Sequence, residues 1–531
     1  MEAVSQLDRN VTIALATIRE WRNSFSRVNR IPIEILSLIP THLSSQKDRF
    51  HAASVCRRWR GACLKHGALW SRLFLRRGEE CLSTLLERAK GSALDIIVDC
   101  GFSVNTTTLI SHHTQQVRSI EFTLHSWKDI ITFESTSGRL PLLRTLKIDT
   151  PKIFGSQPQP NVTISPPVPI FRGSINLERF IFHCWELPLL SHFVYPNLTT
   201  FELSSDPGGE CCASHLFDFL KASPLLRIVE MKIFGTIILR NIPEGMVVVL
   251  PEAETFSLHI VNDTSTQVYD IASHISCPRA RYISLTREMD DDDMMVGLGL
   301  FPTPVFWNTI VRQYMANPIE EVTLEIKDPT NEDIECSLTF RFSDATTVRL
   351  GFDVDDTDQD EDELFMDRAE MGWEIFSQAL TTIRDHPLLS HVKRLHVKYK
   401  ATAPDTYETS MAHKVRELFG SLGPLDELTI RGCDLRIFLR HFLWHGPWVD
   451  SLETPLVILQ AKELKILHPS MEDNEVECSS AIVGLAKLQH ALAIPFERVT
   501  VSTEWLPIWM KEELEQWVGA VDYSEEEEDG V

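Results

Sequence analysis

The chain has 531 residues, 43% of them hydrophobic, enough for two to four domains or one extended array and too apolar for global disorder. Its formal net charge of -24 argues against nonspecific nucleic-acid binding, which needs clustered Lys and Arg along the phosphates. No apolar run is long enough to cross a bilayer, and the 11 cysteines contain no C-x-x-C pair; with no signal peptide, reduced thiols in the cytoplasm or nucleus are expected.

Residues 1–29 read as an amphipathic helix. Leu7, Val11, Ala14, Ile18, Trp21, Phe25 and Val28 alternate in steps of four and three, an a/d seam over three heptads. A second copy could cover this seam as a coiled coil. Packing on the next domain is favoured, because three heptads with Ala at one seam position are weak.

Residues 30–77 form a second module. Ile31, Ile35, Leu36, Ile39 and Leu43 recur at helical spacing, with Pro32 where a first turn tolerates it. A further apolar group follows: Phe50, Val55, Cys56, Trp59, Leu64, Leu69, Trp70 and Leu73. Segments of roughly 45 residues seldom hold themselves together without disulfides, metal or another protein, so this one is expected to pack on a partner. From Lys47 to Arg77 nine basic residues face the single acid Asp48, a balance that suits an acidic protein partner better than RNA.

The run Ile31-Pro32-x-Glu34-Ile35-Leu36, then Leu43, Asp48, Val55-Cys56-Arg57-x-Trp59-Arg60 and Leu69-Trp70-x-x-Leu73, resembles an F-box. Two positions depart from that pattern: Ile31 replaces the commoner Leu, and Arg49 stands where an apolar residue is common. The resemblance implies docking on the Skp-type adaptor of a cullin-RING ubiquitin ligase, through Ile31, Pro32, Ile35, Leu36, Ile39, Leu43, Val55, Trp59, Leu69 and Trp70. Cys56 reads as a small core residue there rather than an activated thiol.

Across residues 78–520 one pattern recurs: apolar, two residues, apolar, one residue, apolar. It starts at Ala93, Val117, Leu143, Leu177, Leu198, Leu226, Ala253, Ala280, Ile319, Ala345, Val392, Leu425, Ala461 and Phe496. The copies from Leu198 to Ala280 are 28, 27 and 27 residues apart, a leucine-rich-repeat period. Helix-like segments lie between copies at Ser214–Ala222, Gln267–Ile275, Val305–Met315, Trp373–Arg384, Ser410–Phe419, Leu435–Leu443 and Ser480–Leu492, as parallel crossovers require. The expected fold class is therefore α/β: an N-terminal three-helix F-box followed by an irregular leucine-rich-repeat-like solenoid with a parallel sheet. The Asn or Cys usual eight residues after the first apolar position occurs only as Cys433, which leaves curvature and unit boundaries open.

Insertions interrupt the array. Pro151 to Gly173 is proline-rich, Glu288 to Pro304 and Asp353 to Asp367 are acidic, and residues 521–531 read as an acidic disordered tail with Ser524 as a phosphorylation candidate. None of the acidic runs has EF-hand spacing.

On each strand the side chains between the apolar ones face outward. These supply the substrate-binding candidates: Arg179, His183, Glu202, Glu230, Lys232, His259, Tyr282, Glu321, Glu325, Arg349, Arg394, Lys398, Glu427 and Arg431. Sign changes along the array, acidic near Glu321 and Glu325, basic near Arg394, Lys398 and Arg431.

Hydrolase, P-loop, zincin and dinucleotide motifs are absent, and Gly297-Leu298-Gly299 runs into Pro302 where a third glycine would be needed. No catalytic residue, metal or cofactor is expected. The reading is a non-catalytic substrate-recognition subunit of an SCF-type ubiquitin ligase, with a Skp-type adaptor, through it a cullin, and a protein substrate as partners; neither nucleic acid nor membrane is expected. The alternative is a protein-binding scaffold that holds the adaptor outside any ligase. Cullin in the purified complex separates the two.

Overall fold

In the computed structural model the described residues are 2–43, 45–75, 78–98, 103–123, 127–149, 171, 174–184, 190, 193–205, 211–234, 237–238, 242–243, 246–261, 267–289, 319–327, 333–355, 392–399, 422–431, 461–467, 475–502 and 508–524. They divide into two compact units, Met1–Leu203 and Ser204–Val531.

The first unit begins with helix α1 (Glu2–Ser24). The helical module follows as α2 (Ile33–Leu38), α3 (Gln46–Ser54) and α4 (Arg57–Lys65), with short 3-10 turns at Ile39–His42 and Gly67–Trp70. Ser45 caps α3 by accepting from the Lys47 amide at 3.2 Å. Pro32, with φ -50°, enters α2 without costing a helical hydrogen bond. Leu36, Ala62, Cys63, Leu69, Trp70 and Leu73 are buried at the centre of the module, where the Trp70 indole donates to the Cys63 carbonyl at 2.9 Å.

Strand β1 (Arg72–Phe74), helix α5 (Glu79–Ala89), β2 (Leu94–Val98), α6 (Val104–Ser111), β3 (Val117–Thr123), α7 (Trp127–Ser137), β4 (Thr145–Asp149), β5 (Arg179–Cys184) and β6 (Thr200–Ser205) then alternate. The strands β1 to β5 pair in parallel in chain order, and β6 is hydrogen-bonded beside β5 from the Thr199 and Thr200 amides to the Glu178 carbonyl. Inward alternation fills the space under the sheet with Phe180, Phe182, Phe193, Tyr195 and Phe201. The Phe180 ring lies 4.9 Å from Phe193 and 5.6 Å from Phe182.

The second unit holds β7 (Cys211–Cys212), α8 (Ala213–Lys221), β8 (Ile228–Phe234), β9 (Ile237–Ile238), β10 (Val248–Val249), β11 (Thr255–Val261), α9 (Gln267–Ser273), β12 (Ile275–Ser276) and β13 (Tyr282–Met289). It continues with β14 (Ile319–Lys327), β15 (Asp333–Phe342), β16 (Thr347–Asp355), β17 (Arg394–Tyr399), β18 (Leu425–Arg431) and β19 (Ala461–Leu467). Last come a helix at Glu475–Ala491, β20 (Arg498–Ser502), a helix at Ile508–Leu514 and β21 (Val521–Ser524). Spatial order in its main sheet is β8, β11, β13, β16, β15, β14, β17, β18, β19, β20, β21. All these pairings are parallel except β14–β15 and β15–β16.

Every described copy of the apolar pattern lies at a strand, and one turn leads into six of them. The amides of Leu143, Leu177, Leu198, Leu226, Ala253 and Ala280 donate to the carbonyls of Leu140, Ser174, Tyr195, Ser223, Leu250 and Cys277 at 3.0–3.3 Å. Five of these turns carry proline at their second position: Pro141, Pro196, Pro224, Pro251 and Pro278. Proline pre-sets φ for that position of a type I turn, so it directs the chain into the strand. Asparagine also links successive turns within the first unit, although not at the position read from the sequence. The Asn176 amide donates to the Pro141 carbonyl and the Asn197 amide to the Ile175 carbonyl, each at 2.7 Å.

Four expectations are corrected. The α1 seam does not pack on the neighbouring module: Leu7, Val11, Ile18, Trp21 and Phe25 are 49–67% exposed, and the Val28 side chain is outside the described set. The sheet is mixed rather than parallel, because β15 returns between β14 and β16 as a meander. Leu73 lies on a strand that pairs with β2, so residues 72–74 of the expected helical module belong to the sheet. Val521–Ser524 of the expected tail is a strand on β20. The expected helices Val305–Met315, Trp373–Arg384, Ser410–Phe419 and Leu435–Leu443, together with Cys433, residues 151–170, 290–304, 356–367 and 525–531, lie outside the described residues.

Candidate functional site

Two surfaces emerge from the elements above. The first is on the helical module. Ile35, Leu38, Ile39 and Val55 are 51%, 45%, 37% and 63% exposed, and Pro32 is exposed beside them. Ile31, Leu43 and Trp59 are half-buried at the same module. The Arg58 guanidinium ties the module's start down by donating to the Ile31 carbonyl at 2.6 Å.

Leu36, Leu69 and Trp70 were expected on this surface and are instead its support, 0%, 2% and 1% exposed. Successive helical side chains are turned by about 100°, so Leu36 faces the module's centre while Ile35 faces out. Leu38 was not among the expected contacts; the i, i+3 step from Ile35 was the available signal.

The second surface is the open face of the sheets, whose registers place the candidate residues in rows. In the first unit one row runs Arg72, Asp95, Ser119, Thr145, Arg179, and another runs Thr123, Asp149, His183. Arg179 pairs with Glu202 at 2.5 Å, and His183 lies 3.9 Å from Asp149.

In the second unit Tyr282, Glu321, Arg394 and Glu427 share a row; Glu230 and Arg349 share the next, and Lys232, His259, Glu325, Lys398 and Arg431 a third. Separate acidic and basic patches were expected here. The register overturns this, because β14 and β17 are neighbours: Glu321 lies 3.5 Å from Arg394, and Glu325 lies 4.0 Å from Lys398. Opposite charges on adjacent strands attract across the pleat and cancel in the far field.

The electrostatics follow from that pairing. His259, whose Nε2 lies 2.9 Å away, holds the Glu288 carboxyl below the usual carboxylate range, aided by Lys232 at 3.8 Å and opposed by burial. Burial opposes ionisation of Glu427 too, yet Lys465 at 3.0 Å and the Thr429 hydroxyl at 2.9 Å keep its pKa low. Burial pushes His396 below its ordinary value despite Glu321 at 3.8 Å. These are groups occupied by one another.

Among the described residues no group of three or more His, Cys, Asp or Glu is placed to hold a metal, and no helix is long and apolar enough to cross a membrane.

Residues 28–76 match the family model described as F-box-like, so the chain carries an F-box-like domain. The match covers α2, α3, α4 and β1. Such domains mediate protein interaction, typically with the adaptor of SCF ligases, and are typical of non-catalytic adaptor subunits. No curated protein matches the chain.

Proposed function

We propose that the protein is the substrate-recognition subunit of an SCF-type cullin-RING ubiquitin ligase, working in the cytoplasm or nucleus. The observation that carries this reading is the exposure of the apolar side chains Pro32, Ile35, Leu38, Ile39 and Val55 on an F-box-like domain whose own core is already filled by Leu36, Leu69 and Trp70. Ile35, Leu38, Ile39 and Val55 each leave about half of the side chain to bury against a Skp-type adaptor, which contributes roughly 1 kcal/mol apiece. The repeated unit of proline turn, strand and helix is that of an irregular leucine-rich-repeat-like solenoid, and the protein substrate is held on open sheet faces, with Arg179, His183 and Glu202 as candidates in the first unit and the rows from Glu230 to Arg431 in the second. The chain performs no chemistry; it raises the effective concentration of a target lysine near the charged transfer enzyme.

The test is co-purification of adaptor and cullin with the full chain and with Ile35→Asp combined with Leu38→Asp. Both positions are on the surface, so the variant is expected to fold and to lose both partners. Retention of the adaptor by the variant rejects these side chains as the contact. Adaptor without cullin on the wild-type chain rejects the ligase and leaves a scaffold.

A further inference from the structure

Helix α1 presents an apolar seam to solvent, and the charges beside that seam say what fits on it. Leu7, Val11, Ala14, Ile18, Trp21 and Phe25 are all exposed. Trp21 and Phe25 pack edge-on at 4.9 Å, which carries the seam just past the last helical residue, Ser24. In heptad terms Val11, Ile18 and Phe25 are a positions, and Leu7, Ala14 and Trp21 are d positions. The residue after each d, at position e, borders the seam; these are Asp8, Leu15 and Arg22, each exposed.

The e positions reverse their sign about Leu15, with an acid one heptad before it and a base one heptad after it. Asp8 and Arg22 are about 21 Å apart along the axis, too far to pair within one helix. Two copies running antiparallel bring e against e. Leu15 of one copy then meets Leu15 of the other, and Asp8 of each meets Arg22 of the other. The same alignment sets Leu7 against Phe25, Val11 against Trp21 and Ala14 against Ile18, so each layer joins a smaller side chain to a larger one. Sliding the pair by one heptad would set Asp8 against Leu15 and lose both charge pairs. A parallel pair fits worse still. It stacks Trp21 on Trp21 and Ala14 on Ala14, and it sets Asn10 and Thr17 against Leu15 and Arg22 with no charge pair.

We propose that α1 is a dimerisation element that takes a second copy of this chain as an antiparallel two-stranded coiled coil centred near Leu15. Three heptads make a short seam, so the association depends on protein concentration. The surface shares no residue with the apolar side chains assigned to the adaptor, and its test needs no adaptor.

The test is sedimentation equilibrium of the full chain from low to high micromolar concentration. Wild type is expected to pass reversibly from monomer to dimer mass. Ile18→Glu puts a charge in the seam at a position exposed in the single chain, so the variant folds and its dimer is about tenfold weaker or more. Asp8→Arg alone and Arg22→Asp alone each set like charges together at both ends and weaken the dimer in the same way. An equimolar mixture of these two variants restores opposite charges at both ends and is expected to recover dimer mass. A wild-type chain that stays monomeric, a dimer that survives Ile18→Glu, or a mixture no better than its components overturns the proposal.

Discussion

Glu288 shows how the open face stabilises itself residue by residue. Its carboxylate is 16% exposed and sits 2.9 Å from His259 and 3.8 Å from Lys232. Its pKa in the fold is below its unfolded value near 4.3, so the stabilisation is fully present above that pH and is lost as pH falls through the folded value. Glu288→Gln should therefore lower stability at pH 7 by about 1 kcal/mol, the range for a partly screened charged hydrogen bond. The difference between wild type and variant should shrink as pH falls below about 4. Urea denaturation at the two pH values checks this; a deficit of equal size in acid would show that packing, and not charge, is responsible. His396 acts with the same sign at a higher pH. Burial lowers its pKa, so it contributes stability above about 6.5 that is lost as protonation is forced below that pH.

Among the elements, strands were legible where each carries three inward apolar side chains at fixed spacing behind a turn. The proline turns make this visible in sequence, because Pro196, Pro224, Pro251 and Pro278 stand two residues before Leu198, Leu226, Ala253 and Ala280. Replacing Pro251 by Ala enlarges the unfolded ensemble while keeping the Leu250 to Ala253 hydrogen bond. A loss of about 0.4–1 kcal/mol in urea denaturation is expected. Strand β15 was not legible by the same template. Its Ile334, Cys336, Leu338, Phe340 and Phe342 alternate strictly, which marks a strand but lacks the turn and the two-residue step of the parallel copies. For α1 the heptad spacing marked the helix correctly and misplaced its packing, because periodicity shows that a face is apolar and not what covers it. With Leu7, Ile18 and Trp21 all at least 60% exposed, deleting residues 2–24 should leave the melting temperature of the remainder unchanged. A fall of several degrees would show that α1 is held by the rest of the chain.

At the scale of the molecule, the question is where the F-box-like domain ends. Its resemblance runs through Leu73, and periodicity placed the whole segment among helices. Only long-range pairing shows that the last part is sheet. Arg72, Leu73 and Phe74 register with Asp95, Ile96 and Ile97, with further bonds from the Asp95 amide to the Ser71 carbonyl and from the Leu75 amide to the Ile97 carbonyl at 3.0 Å. Trp70, the largest side chain of the module core, lies under the Arg88 guanidinium of α5, 5.1 Å from its centroid. Cutting after residue 76 removes both the β2 ladder and this cover, leaving a three-residue edge strand with unpaired backbone groups. A segment of about 50 residues has little core to offset that loss. The piece 28–76 alone should therefore melt broadly and at low temperature, whereas 2–205, which retains β1 to β6 and the Phe180 cluster, should unfold cooperatively. Circular dichroism melts of the two pieces decide the matter. Equal cooperativity would mean that the β1–β2 pairing adds nothing to the domain, and that its exposed apolar side chains are presented without support from the sheet.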